Sequence, residues 1–157
     1  MTLFLAAFIA ALHYLALAMG LGAVFARGLR LRDLSHSLGD SETLARLLRA
    51  DSMWGLAALL WIATGLLRVF GGLEKSSMFY LRNGFFLVKM GLFVAILGLE
   101  IFPMITFIRW RIARARGSVP IAGAPFGVLV RLNDVEVALV VVIPFVASLM
   151  GRGVWLY

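Results

Sequence analysis

Three ionisable side chains stand where an apolar sequence has least reason to hold them: His13, Lys89 and Glu100 each lie inside an unbroken apolar run. An ionisable group near the centre of a membrane helix costs about 2.5–3.5 kcal/mol on insertion scales, so each is a candidate for function. An imidazole ligates iron, an ammonium pairs with carboxylates or phosphates, and a buried carboxylate carries protons or pairs with arginine. Each also has a simpler reading. A lone buried histidine is more often satisfied by a neighbouring hydroxyl, carbonyl or carboxylate than bound to a cofactor. Lys89 can snorkel to the interface, and Glu100 can pair with Arg109 or with an arginine on another helix. Asp51, Asp134 and Glu136 fall near the starts of apolar runs, where a carboxylate complements the helix dipole.

Other signatures are missing. The sequence has no glycine-rich phosphate loop, no Gly-x-Ser-x-Gly and no His-Glu-x-x-His. Without cysteine there is no thiolate nucleophile, iron–sulfur cluster or Cys-based zinc site. The second histidine, His36, lies in a polar segment, so a haem clamped between two histidines of one chain is excluded, whereas a single axial histidine is not.

The elements that must position these residues follow from composition. Of 157 residues 62% are hydrophobic and 15% charged, against about 45–50% and about 25% in soluble domains, so a water-soluble fold is excluded. The length allows one domain, 1–157, that crosses a bilayer four times at roughly 20 residues per pass. Apolar runs at about 3–26, 52–71, 85–108 and 132–150 predict an all-α, four-helix transmembrane bundle. A short interfacial helix is expected after the first span, capped by Asp40 or Ser41, with Leu44, Leu47 and Leu48 on one face and Arg46 and Arg49 beside it; an ordinary connecting helix packed on the bundle suits the same pattern. The segment GLEKSSMFYLRNG reads as an external loop anchored by Phe79 and Tyr80, and Trp155 and Tyr157 form an aromatic tail.

Ten of the 15 basic residues, Arg27, Arg30, Arg32, Arg46, Arg49, Arg109, Arg111, Arg114, Arg116 and Arg131, fall in the two longer connections, against Arg68, Lys75, Arg82 and Arg152 on the other side. This asymmetry predicts both termini outside the cytoplasm and accounts for the net charge of +7 without nucleic acid. The expected partner is the lipid bilayer, with either other membrane subunits or further copies of the chain beside it. Within the bundle, Lys89 and Glu100 are three turns apart and share one face. Ala6, Ala10, His13 and Gly20 make a small-residue stripe that turns His13 inward. Counted from the outer helix starts, Lys89, His13 and Glu100 lie at depths of roughly 6, 15 and 22 Å.

The segments ALHYLALAMGLGAVFARGLRLR, DSMWGLAALLWIATGLLRVFGG, FYLRNGFFLVKMGLF, IFPMITFIRWR and VALVVVIPFVASLMGRG resemble, over nearly the whole chain, a bacterial family of predicted four-helix membrane proteins, and the bacterial inner membrane is the expected location. More distantly, the first-helix histidine followed by a Gly-containing apolar stretch, and the third-helix lysine preceded by aromatics, resemble the HemJ-type protoporphyrinogen oxidases, with the CopD-like membrane proteins a further relative. The HemJ type carries additional histidines near its third helix that have no counterpart here. That resemblance implies haem b or another tetrapyrrole at His13 and Lys89; with such a group bound, the intramembrane imidazole of His13 would be the iron ligand and Lys89 would pair a propionate, with Arg68 or Arg82 as a second positive partner. Whether the chain catalyses a reaction stays open. Two alternatives stand beside the tetrapyrrole reading, both without a cofactor: an accessory subunit of a larger membrane complex, and a small proton-coupled transporter using Glu100. The absence of internal repeats counts against the last.

Overall fold

A computed structural model describes residues 2–38, 40–72, 76–118, 121, 123–152 and 154. The chain forms α1 (Thr2–His36), α2 (Ser41–Phe70), the short α3 (Ser77–Leu81), α4 (Gly84–Ala115) and α5 (Phe126–Gly151). Four of these are long and apolar enough to cross a membrane, giving the four-helix transmembrane bundle that the apolar runs predict. Lys75, Trp155 and Tyr157 lie outside the described residues.

The helices outlast the apolar runs. The 35 residues of α1 reach about 52 Å at 1.5 Å each, well beyond a hydrocarbon core of about 30 Å. The bundle therefore extends past the bilayer at the end that carries the α1–α2 and α4–α5 connections, here called the basic end. The start of α1, the end of α5 and α3 mark the opposite, terminal end.

Buried positions recur at steps of three and four. On α1 they are Ala6, Ile9, His13, Ala16, Gly20, Ala23, Arg27, Leu31 and Leu34; on α2, Trp54, Ala57, Trp61 and Thr64; on α5, Leu129, Asn133, Glu136, Val140 and Ile143. This is the spacing of helices packed side by side in a left-handed bundle. Most large apolar side chains point the other way, among them Phe4, Leu15, Phe25, Leu59 and Phe145, because lipid, unlike water, is as good a solvent for them as the protein interior. Going round the bundle, α2 packs on α1, α1 on α5 and α5 on α4, whereas α4 and α2 touch little.

Two apolar clusters fill the interior. One, at the basic end, holds Leu31, Leu34, Leu44, Leu47, Leu48, Phe107, Trp110 and Leu129. The other, nearer mid-bundle, holds Ala16, Val24, Trp54, Trp61, Ile96, Val140 and Ile143.

Three local expectations are corrected. The helix after the first span does not lie in the headgroup plane. Asp40 caps it, accepting the Glu42 N–H at 3.0 Å and the Thr43 hydroxyl at 2.5 Å, but it runs unbroken into the second span as the first turns of α2. Its leucines are buried in the basic-end cluster, which offers them more apolar contact than an interface would. Asp51 and Glu136 are not in first turns, because α2 starts at Ser41 and α5 at Phe126. Tyr80 is buried against Phe86, ring centroids 5.6 Å apart, instead of anchoring at the surface.

Candidate functional site

Two polar centres interrupt the apolar interior. The first lies toward the terminal end. The α1 stripe that carries His13 faces α2, and α2 presents Thr64 to it at the same depth. His13 Nδ1 and Thr64 Oγ1 are 2.8 Å apart. The one hydroxyl proton of Thr64 goes to the Leu60 carbonyl one turn back, at 2.6 Å, so Thr64 accepts from His13 and Nδ1 carries the imidazole hydrogen. Nε2 then keeps the lone pair, and no described residue hydrogen-bonds it. The ring is held further by Trp61, centroids 5.8 Å apart, and Trp61 meets Phe93 of α4 edge-on at 5.6 Å.

His13 opens onto a cavity of about 530 Å³ whose wall includes Arg68, Lys89 and Arg152 and, among the described residues, no carboxylate. The Arg68 guanidinium lies over the Tyr14 ring, 5.6 Å from its centroid. Lys89 lines this cavity instead of snorkelling away. A second, apolar cavity of about 310 Å³ shares His13, Trp61 and Lys89 with the first and occupies the loose α2–α4 seam, between Ile62, Leu66, Met90 and Phe93. The structure thus brings His13, Lys89 and Arg68 together. Arg82, the alternative second cation, is exposed and not in the wall, while Arg152, which the sequence did not single out, is.

The second centre lies toward the basic end. Arg27 is fully buried, and helices α2, α4 and α5 all reach it. Nε donates to Asn133 Oδ1 at 2.8 Å. One terminal nitrogen donates to Glu100 Oε1 at 2.8 Å and Oε2 at 3.0 Å, and to Asp51 Oδ1 at 3.2 Å; the other donates to Glu136 Oε2. The Trp54 indole N–H donates to Glu100 at 3.1 Å, and Arg111 donates to Asp51 at 2.7 Å and to the Leu48 carbonyl at 2.8 Å. Trp54 and Phe107 flank the guanidinium, their ring centroids 6.0 and 5.7 Å from Cζ. The planar fork of arginine donates in several directions at once, which an ammonium on one carbon cannot do. The arrangement fixes all four long helices at one depth and bridges the α2–α4 seam there, leaving the seam open on either side of the knot.

Arg27 is therefore not a solvated loop residue, as the basic-cluster count took it to be. Glu100 pairs with it and not with Arg109. Asp51, Glu136 and Asn133 join the same knot, although only Glu100 stood out in the sequence. The signal was present in the series Ala6, His13, Gly20, Arg27 and Leu34, an unbroken seven-residue repeat that runs through the arginine.

No curated protein and no solved structure matches the chain. The family model DUF2214, predicted membrane protein, matches residues 5–155, and the protein, a membrane protein with four apolar spanning helices, belongs to that family.

Proposed function

We propose that the protein holds an anionic, amphipathic tetrapyrrole of the haem b type in the cavity around His13. It does so in the bacterial inner membrane, with both termini outside the cytoplasm, and serves redox or tetrapyrrole metabolism there. The observation that carries this reading is the wall of the cavity around His13, which sets the Lys89 ammonium beside an oriented imidazole with no carboxylate among the described lining residues. Lys89 makes no ion pair among the described residues, and a partly buried ammonium calls for an anionic partner. The volume falls in the ordinary range for small-molecule sites, about 300–1,000 Å³, and the apolar seam between α2 and α4 lets a hydrophobic ring system enter from the lipid. The resemblance to the HemJ type carries to His13 and Lys89 and supports the same assignment.

The donor set fits the group. Thr64 fixes Nδ1 as the protonated nitrogen, so Nε2 would ligate iron. Lys89 and Arg68 would take the carboxylates, and Trp61 and Phe93 would exclude water from the ring faces. A bound haem would supply an iron centre that cycles between oxidation states.

The test is an absorption spectrum of protein purified in detergent from haem-replete cells. A Soret band is expected. His13→Ala should abolish it with helical content unchanged, and Lys89→Met should weaken retention or shift the band. A wild-type preparation without Soret absorbance refutes the reading and leaves an accessory subunit whose outer apolar faces pack on partner membrane subunits or on further copies.

A further inference from the structure

The α2–α4 seam has a third opening, at the basic end, beyond the Arg27 knot. It has a volume of about 610 Å³ and is lined by Arg49, Arg111 and Arg114 with Ser52. Among the described residues, Arg111 is the one groove arginine with an ion pair, to Asp51, and it also donates to the Leu48 carbonyl. Arg49 has one long contact, 3.4 Å to the Ala45 carbonyl, and Arg114 makes no ion pair among the described residues. Among the described residues, no carboxylate lines the groove. Guanidiniums gathered in one concavity repel one another, and the focused positive potential attracts an anion.

The surroundings select the anion. Met53 on α2 and Ile108 and Ile112 on α4, within a turn or so of the groove residues, are exposed apolar side chains. Along these helices the groove therefore adjoins an exposed apolar surface of the kind that faces lipid. We propose that it binds the phosphate of an anionic phospholipid, with Arg49 and Arg114 as the principal donors, Arg111 and Ser52 completing the site, and acyl chains lying over Met53, Ile108 and Ile112. Basic pockets between membrane helices recognise headgroups in this way. Arginine suits the task because its fork matches two phosphate oxygens at once.

The experiment uses the full chain in nanodiscs of phosphatidylcholine alone or with phosphatidylglycerol, reading retained lipid by native mass spectrometry and thermal unfolding. Wild type should retain phosphatidylglycerol and unfold at higher temperature in its presence. Arg49→Gln/Arg114→Gln should lower retention about thirtyfold, the equivalent of roughly 1 kcal/mol for each arginine near the surface. Arg116→Gln/Arg131→Gln, which removes the same charge from exposed positions outside the groove, should retain the lipid as wild type does. Equal loss in the two double variants would overturn the site, as would a wild type with no preference for phosphatidylglycerol. Inorganic phosphate giving the same stabilisation in neutral nanodiscs would overturn the lipid assignment.

Discussion

Removing the guanidinium of Arg27 tests whether the buried knot holds the bundle together. Arg27→Met fills much of the same volume but leaves Asp51, Glu100 and Glu136 facing one another. The side chain of Glu136 is 0% exposed, against 15% for Asp51 and 18% for Glu100. Asp51 keeps Arg111 and Glu100 keeps the Trp54 indole, so the uncompensated charge falls mainly on Glu136. Deleting one partner of a buried ion pair costs about 3–5 kcal/mol, which for a chain of this size lowers the melting temperature by the order of 10 °C. Arg27→Lys retains the charge but loses at least one charged hydrogen bond, about 1.5–3 kcal/mol. Equilibrium unfolding in mixed micelles, followed by circular dichroism, measures both. Adding Glu136→Gln to Arg27→Met should recover part of the loss, because the fully enclosed carboxylate is then neutral. The reasoning fails if Arg27→Met unfolds within about 1 kcal/mol of wild type, well short of the cost of an orphaned buried charge, or if Glu136→Gln makes it worse.

Close helix packing makes two further tests. A Cβ on Gly28 would sit 2.5 Å from Asn133 Nδ2, whereas one on Gly22 meets nothing within 4 Å. Gly28→Ala should therefore displace Asn133 from Arg27 and cost about 1–3 kcal/mol, while Gly22→Ala should be neutral or stabilise by up to about 1 kcal/mol; equal melting temperatures would count against the tight α1–α5 approach. A Cβ on Gly20 would meet the Trp54 ring at 3.2 Å and Ala57 at 3.3 Å, and Gly98 faces open space. Gly20→Leu should cost about 1–3 kcal/mol by overpacking and Gly98→Leu little, as thermal unfolding in detergent will report. Cysteines at Ser35 and Ser76, at opposite ends of the bundle, should label from opposite faces of the membrane, Ser35→Cys from the cytoplasm; labelling from one face would refute the four-pass topology.

The reach of the sequence differed from one residue to the next. His13 was legible as an inward-facing group because the small residues of its stripe sit on its own helix, whereas which of a hydroxyl, carbonyl or carboxylate would meet it was not; the structure supplies the Thr64 hydroxyl. The common face of Lys89 and Glu100 was legible too, since a separation of eleven residues fixes their relative direction within one helix. Tyr80 misled because aromatic residues next to a span usually mark the interface, and nothing local says that a ring turns back into the bundle. The helix after the first span misled for a related reason. An amphipathic segment looks alike whether lipid headgroups or another helix covers its apolar face.

What the amino-acid sequence determined by itself is what hydropathy and periodicity determine: a membrane protein, four spanning helices, one polar side chain buried on the first. Each is a property of a stretch of about twenty residues, summed over neighbours in the chain. What only the tertiary structure decided is which polar groups meet. Arg27 finds Asp51, Glu100 and Glu136 at separations of 24, 73 and 109 residues, and His13 finds Thr64 across 51. Those encounters depend on the axial register and rotation of each helix against the others. Register is set by the packing of all four together, with the buried charges among its strongest terms, because in a water-poor interior each must find its counterpart or lose its hydration without return.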